Sequence, residues 1–497
     1  MEAVEQRAHQ RTIKSLSEKV IASGLWVLAL RIVNRGLGLI RTLVLARLLA
    51  PEDFGLLGIA MLSISTLETF SQTGVEAALI QKKENVYSYL DTAWTVSVIR
   101  GFTLFSILFL LAPTIAIFFN SPRATFVIRV IAISTLLTGC RNIGVIFFQK
   151  ELEFNKQFSY EISATLVDLT VAITLAFLLK NVWALVWGGM AANLTRLFMS
   201  YRIHSYRPKV RIHKEEFLEL ISFGKWILGS GILVFLITKG DDIFVGKILG
   251  ITALGFYQMA YLISNLPATE ITHAISKVTF PAYSKLQDDI SQLKDGYFKV
   301  LEITVFLSIP VAGAIFLLAP DFTEVFLGQK WLPMVSALQV LCFFGVIRSI
   351  GATMGPILYG TGRPKVQTKV SAVQLLFLAI VIYPLTISLQ ILGTSLAVLV
   401  SNLLGFILIT RETKAILNFR YGEVCTVLAV PLCSYLSVFF LVFLPVTLMS
   451  PQRSIILILL ILLLTTIIYF IIIYLWDRKR YRILENIRNL PNIFASR

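Results

Sequence analysis

Charge is scarce in this 497-residue sequence: Asp, Glu, Lys and Arg make up 15% of it, against 56% hydrophobic residues. Mean hydropathy is +0.77. A soluble domain carries roughly 25% charged residues, so water is not the main solvent of this chain. Cysteine is equally rare. Cys140, Cys342, Cys425 and Cys433 all fall inside predicted spans and read as small apolar side chains, not as a disulfide or metal set. His9, His204, His213 and His273 show no metal-ligand spacing, so neither a metal nor another cofactor is expected. A Walker-type phosphate-binding loop is missing, which excludes ATP as the direct driver of any activity. The polar first twenty residues lack an apolar core followed by a small-residue cleavage site, so the first span is expected to insert uncleaved. The segments between apolar runs are too short to fold as a catalytic domain, which argues against an enzyme.

What the chain has is apolar runs such as 454–474, near the length of about 20 residues needed to cross a bilayer. Hydropathy predicts an all-α membrane protein of about fourteen transmembrane helices. With the N-terminus in the cytoplasm, the cytoplasmic segments and their margins hold 27 of the 45 Lys and Arg. The outer loops hold 7: Arg47, Arg123, Lys180, Lys239, Lys247, Lys330 and Arg453. That alternation supports cytoplasmic N- and C-termini. It also accounts for most of the formal charge of +16, so a nucleic-acid partner is not expected.

The two halves resemble each other at a nearly constant offset. Residues 45–57 align with 245–257, which pairs Arg47 with Lys247 and Gly55 with Gly255. Further along, Leu110-Leu111-Ala112-Pro113 aligns with Leu317-Leu318-Ala319-Pro320, and Arg141-x-Ile143-Gly144 with Arg348-x-Ile350-Gly351. The expected organisation is a cytoplasmic arm 1–20, a six-helix N-lobe 21–203, a linker 204–217 and a six-helix C-lobe 218–411. Spans 13 and 14 (412–476) and a basic tail 477–497 follow. An even number of spans per lobe makes the repeats parallel, an architecture with the substrate path between lobes.

Eleven Lys or Arg remain in or near spans, where a central charge costs at least about 2.5–3.5 kcal/mol. Arg141, Arg196, Lys225 and Lys299 are near enough to a cytoplasmic end to snorkel. Arg31, Arg35 and Arg348 are deeper, and Arg100 is intermediate. Arg31, Arg35, Gly38 and Thr42 share one helix face, with Asn34 beside them. A deep cationic stripe suits an anionic head group, because Arg offers a fixed fork of donors to phosphate or carboxylate; the alternative is pairing with Glu68, Glu76 or Asp168. Glu68, Gln72 and Glu76 form an expected stripe on span 2. Gln258, Tyr261, Asn265, Thr269 and Thr272 form another on span 8, with Pro267 as a kink. Gln72, Gln258, Tyr261 and Asn265 are candidate sugar contacts, with ordinary interhelical hydrogen bonding as the alternative. Glu161, Thr165 and Asp168 share a face of span 5, where Glu161 and Asp168 are candidates for H⁺ or Na⁺ coupling or for packing against an arginine.

The stretch 45–57, reading L-A-R-L-L-A-P-E-D-F-G-L-L, closely resembles the first outer loop of Wzx-type polysaccharide flippases. These form the polysaccharide transport family of the multidrug/oligosaccharidyl-lipid/polysaccharide exporter superfamily. Ser23-Gly24-x-Trp26, residues 149–154 (Q-K-E-L-E-F) and Gly360-Thr361-Gly362-Arg363 are similar to that family too. The chain looks most like exporters of colanic- or teichuronic-acid-type repeat units. The resemblance implies a V-shaped bundle in a bacterial cytoplasmic membrane. It implies movement of an undecaprenyl-pyrophosphate-linked oligosaccharide between leaflets by alternating access, among membrane lipids. A polysaccharide polymerase and chain-length machinery are the implied protein partners. A multidrug or cation antiporter on a related bundle is the runner-up, disfavoured by a basic cavity. A membrane polymerase or glycosyltransferase is a third reading, disfavoured by the short loops.

Overall fold

The computed structural model describes residues 2–72, 74–82, 86–266, 279, 283–284, 286–445 and 455–480, and among them there is no strand. Two compact units are present: Met1–Phe235 with Gly250–Gly255, and Leu236–Leu249 with Phe256–Arg497. The chain passes between them inside a helix at 235–236, not in the 204–217 segment. That segment is a strap on its own unit. Lys209 N donates to Asp91 at 2.8 Å, Arg211 N to Thr95 at 3.1 Å and His213 N to Thr92 at 3.2 Å.

Unit 1 is built from α1 (Glu2–Leu48), α2 (Pro51–Phe70), α3 (Val75–Gln81), α4 (Val86–Phe118) and α5 (Ala124–Gly139). The short α6 (Phe147–Lys150) leads to α7 (Phe154–Leu179), α8 (Trp183–Ile203) and the first part of α9 (Lys214–Ile248). Residue 251 starts α10 (Ile251–Ser264), which passes into unit 2. There follow α11 (Ile290–Phe322), α12 (Val335–Gly351), α13 (Gly355–Gly360), α14 (Pro364–Leu417), α15 (Tyr421–Val438) and α16 (Ile455–Arg480).

The described residues of the expected spans are mainly helical; the eighth is described only to residue 266, apart from Thr279. Among the described residues eight helices are long and apolar enough to cross a membrane, or nine if the bent pair Ala124–Gly139 and Ile143–Lys150 counts as one span. The other expected spans lie on α1 and α9, whose side chains are described only in part, on α8, which is more polar, and on the shorter α10. The polar arm expected at 1–20 is helical from Glu2, so α1 runs 47 residues, about 70 Å at 1.5 Å per residue. Expected spans 11 and 12 are both in α14, whose helix breaks at Gln390 (φ 53, ψ −135). The halves fold back on each other. A Cβ on Gly393 would lie 1.8 Å from the Leu385 carbonyl, Thr386 and Thr394 hydroxyls are 2.9 Å apart, and Gln374 packs on Gly405. Pro267, Thr269 and Thr272 lie outside the described residues.

In unit 2 the helices without a repeat partner close one side of the core. Tyr435, Val438 and Tyr469 pack with Val305, Phe306 and Ile309 of α11, and the Tyr469 hydroxyl donates to the Phe306 carbonyl at 2.9 Å. Lys294 of α11 pairs with Glu423 of α15 at 2.8 Å.

In unit 1 a pair of repeat-related glycines sets the closest backbone approach. A Cβ on Gly55 would stand 1.9 Å from the Ile251 carbonyl oxygen, and one on Gly255 would stand 2.0 Å from that of Pro51. Gly55 with Gly255, and Pro51 with Ile251, are 200 residues apart, so the crossing is a local two-fold of the repeat. Backbone cannot yield as a flexible side chain does. Gly55→Ala is therefore expected to lower the stability of the purified protein by about 2 kcal/mol or more. Gly189→Ala, which adds a Cβ into open space, is expected to leave it unchanged or slightly higher. Thermal unfolding in detergent compares the two; equal midpoints would mean the crossing is not tight.

Candidate functional site

Partners at membrane depth sort the arginines. In unit 1, one face of α7 carries Glu161, Thr165 and Asp168, and each is engaged. Arg196 of α8 pairs with Glu161 at 3.2 Å and Arg41 of α1 with Asp168 at 3.0 Å. Thr165 donates to Asn34 of α1 at 2.7 Å. The two carboxylates considered for ion coupling are thus held by arginines, and Arg196 is an ion-pair partner, not a snorkelling chain. Asn34 ties α1 to α7. Arg31 and Arg35 sit partly buried on the same helix.

Arg100 turns from head-group candidate to helix cap. Its Nε donates to the carbonyl and hydroxyl oxygens of Ser71 at 2.9 and 3.1 Å, and a terminal nitrogen donates to the Glu68 carbonyl at 3.0 Å. The last carbonyls of a helix have no intrahelical donors, and a guanidinium satisfies several at once. Because α2 ends there, the expected Glu68–Gln72–Glu76 stripe does not form. Gly74 turns the chain at φ 68, Glu76 lies on α3, and Gln72 is exposed beside Gly231.

Unit 2 differs. Near the end of α12, Arg348 donates to the Tyr261 hydroxyl at 3.1 Å and to Asn265 Oδ1 at 3.2 Å. Its guanidinium also lies 5.9 Å from the Phe344 ring centroid. All of these partners are neutral, and among the described residues no carboxylate pairs with it. The structure so brings together an expected head-group residue and two expected sugar contacts. Arg348 lines a cavity of about 440 Å³ with Tyr359, Gln367, Gln374 and Asn402. Buried Gln367 Oε1 has no hydrogen-bond partner among the described residues. Ile347 and Phe406 also line a second cavity of about 470 Å³, walled by Ala312, Phe316, Leu432, Tyr435 and other apolar side chains.

Gln258, the remaining sugar candidate, lies near Asp242. Asp241 and Asp242 are a pair that span boundaries hid, because span 7 ends at 238 on hydropathy while α9 runs to Ile248. Both are buried. Tyr257 donates to Asp241 at 2.6 Å and Lys239 pairs with Asp242 at 3.0 Å, but Asp241 Oδ1 has no hydrogen-bond partner among the described residues. The available signal was two adjacent aspartates directly after an apolar run. Among the described residues no group of three or more His, Cys, Asp or Glu could hold a metal ion, and all four cysteines are free thiols.

Residues 44–336, more than half of the sequence, match the family described as polysaccharide biosynthesis protein. The chain belongs to that family. It is 27% identical over 398 residues to the lipopolysaccharide biosynthesis protein WzxC of Escherichia coli (strain K12), covering 80% of this chain and 79% of that one. It is 25% identical over 292 residues to the teichuronic acid biosynthesis protein TuaB of Bacillus subtilis (strain 168), covering 58% and 60%. Among solved structures the lipid II flippase MurJ, in an inward closed conformation, superposes with a TM-score of 0.71 at 14% identity, covering 91% of this chain and 99% of that one. At that identity the likeness establishes the fold.

The Arg41–Asp168 pair is largely shielded, with side-chain exposures of 20% and 22%. Arg41→Met alone is expected to destabilise the protein by about 1–3 kcal/mol, since it strands a carboxylate. Adding Asp168→Leu should restore much of the loss. A double-mutant cycle by thermal unfolding reads this, and additive effects would mean that the pair is not coupled.

Proposed function

We propose that this protein moves an undecaprenyl-pyrophosphate-linked oligosaccharide repeat unit from the inner to the outer leaflet of the cytoplasmic membrane. Family membership and the names of the relatives support the polysaccharide setting. The observation that carries the reading is the pair of adjoining cavities in unit 2. One presents Arg348, whose partners are all neutral, beside side-chain amides; the other is apolar. An amphipath with an anionic head and a hydrocarbon tail has both chemistries. Arg forms two-pronged hydrogen bonds to phosphate, which strengthen where water is scarce. Tyr261 and Asn265 hold Arg348 in place; Arg31 and Arg35, partly buried on α1 of unit 1, are further head-group candidates in this reading, and Asn34 is engaged by Thr165.

Alternating access follows from the two-unit repeat, with both termini cytoplasmic. An H⁺ or Na⁺ gradient supplies the drive. Glu161 and Asp168 would have to leave an arginine to take part, whereas Asp241 keeps a buried oxygen open to a proton. Polymerase and chain-length proteins act on the product at the outer face.

Arg348→Gln keeps side-chain length and polarity but removes the charge. At normal expression it should cut polysaccharide export about tenfold or more, a charge-assisted hydrogen bond being at stake. Arg348→Lys should retain part of it as a point charge. Lipid-linked repeat units should then accumulate on the inner leaflet. Undiminished export by the glutamine variant would sink the role of Arg348. Accumulation on the outer leaflet would instead indicate a polymerase.

A further inference from the structure

The repeat relates Arg348 to Arg141, and the structure gives Arg141 a cavity of its own, entirely within unit 1. It measures about 200 Å³ and lies between α5, the bend that follows it and the start of α7. Its polar lining includes Arg141, Gln149, Gln157, Tyr160, Glu161 and Glu76. Arg141 is mostly buried and does not snorkel: a terminal nitrogen donates to Asn193 Oδ1 at 2.7 Å. The two arginines align in the repeat and each donates to an asparagine carbonyl, but the asparagines stand on helices that do not correspond, Asn193 on α8 and Asn265 at the end of α10.

The two cavities differ in charge. No carboxylate lines the one around Arg348, whereas Glu76 and Glu161 line the one around Arg141, and Glu161 is already paired with Arg196. The arginines and carboxylates therefore balance, and neither a phosphate nor a cation is selected by charge. Two buried atoms set the hydrogen-bonding requirement. Arg141 Nε, a donor, and Gln157 Oε1, an acceptor, have no hydrogen-bond partner among the described residues. A phosphate oxygen can accept from the first but cannot donate to the second, and a cation does the reverse. A hydroxyl group both accepts and donates. The rings of Phe148 and Tyr160, 6.3 Å apart and edge to face, add an apolar wall suited to the C–H face of a sugar ring.

We infer that the Arg141–Gln157 cavity of unit 1 is a subsite for a neutral sugar residue, read through its hydroxyl groups. This rests on the transport reading above and deepens it by naming residues that recognise the glycan. Arg141 and Gln157 are then specificity-determining residues, distinct from the head-group residues.

The test measures binding of the purified full-length protein in nanodiscs to undecaprenyl pyrophosphate carrying zero, one, two or four neutral hexoses. Wild-type affinity should rise about tenfold at the rung where a hexose reaches the cavity, because a site built around hydroxyls discriminates against ligands that lack them. Gln157→Leu and Arg141→Lys should each flatten that rise to about twofold while leaving affinity for the sugar-free carrier unchanged. Arg348→Gln should weaken every rung by the same factor. Gln157→Leu is close in volume and removes an acceptor with no partner among the described residues, so it separates recognition from misfolding; unfolding midpoints check this. A rise that persists in both variants overturns the inference and leaves the transport reading standing. So does a wild type that binds all rungs equally, the result if the cavity holds only water. A wild type that binds no rung, the sugar-free carrier included, overturns the transport reading and this inference with it.

Discussion

A guanidinium at membrane depth cannot be left to the hydrocarbon, and that constraint organises much of this protein. Its five donors must meet acceptors, and its charge must meet a carboxylate, a set of dipoles or a polar cavity. Unit 1 applies two of these solutions to hold its helices together. Arg41 and Arg196 reach carboxylates on one face of α7, clasping α1 and α8 to it, and Arg100 satisfies the open carbonyls that end α2. Arg41 and Arg196 are neutralised by those carboxylates, whereas the donors of Arg100 meet neutral oxygens at a helix end. Arg348 follows a third solution. Its donors meet a tyrosine hydroxyl and an asparagine carbonyl, so it is oriented without being neutralised. In the proposed function, an oriented cation whose partners among the described residues are neutral, beside amides and next to an apolar cavity, selects an anionic amphipath.

Close approach of backbones supplies the second constraint. With little hydrophobic gain to be had between helices in lipid, packing depends on small residues that let backbones meet. Gly55 against Ile251 and Gly255 against Pro51 show this in its tightest form, as does Gly393 against Leu385 in the hairpin of α14. The first two pairs repeat each other at an offset of 200, so the duplication seen in the sequence is also a contact in space.

The fold was legible at the level of helix existence. Apolar length and the alternation of basic loops located helix at the described parts of the expected spans because the bilayer imposes both. Boundaries were less legible. Hydropathy ended span 7 before Asp241 and Asp242 although the helix continues to Ile248, because a buried carboxylate supported by Tyr257 and Lys239 scores as if it were exposed. The Glu68–Gln72–Glu76 stripe assumed an unbroken helix, and Gly74 breaks it.

By itself the sequence determined that the protein is a helical membrane protein with an internal parallel repeat, and its family resemblance followed from the 45–57 motif. Those properties are local or periodic: an apolar run, a basic loop and a repeated motif are each contained in contiguous residues. What only the tertiary structure decided is which arginine does what. Arg41, Arg100, Arg141 and Arg348 look alike in hydropathy, yet one is an ion-pair partner, one a helix cap, one the donor of a charge-balanced cavity and one an oriented cation among neutral partners. The difference comes from side chains 29 to 127 positions away in the chain, at Ser71, Asn193, Tyr261 and Asp168 among others, which no local pattern encodes.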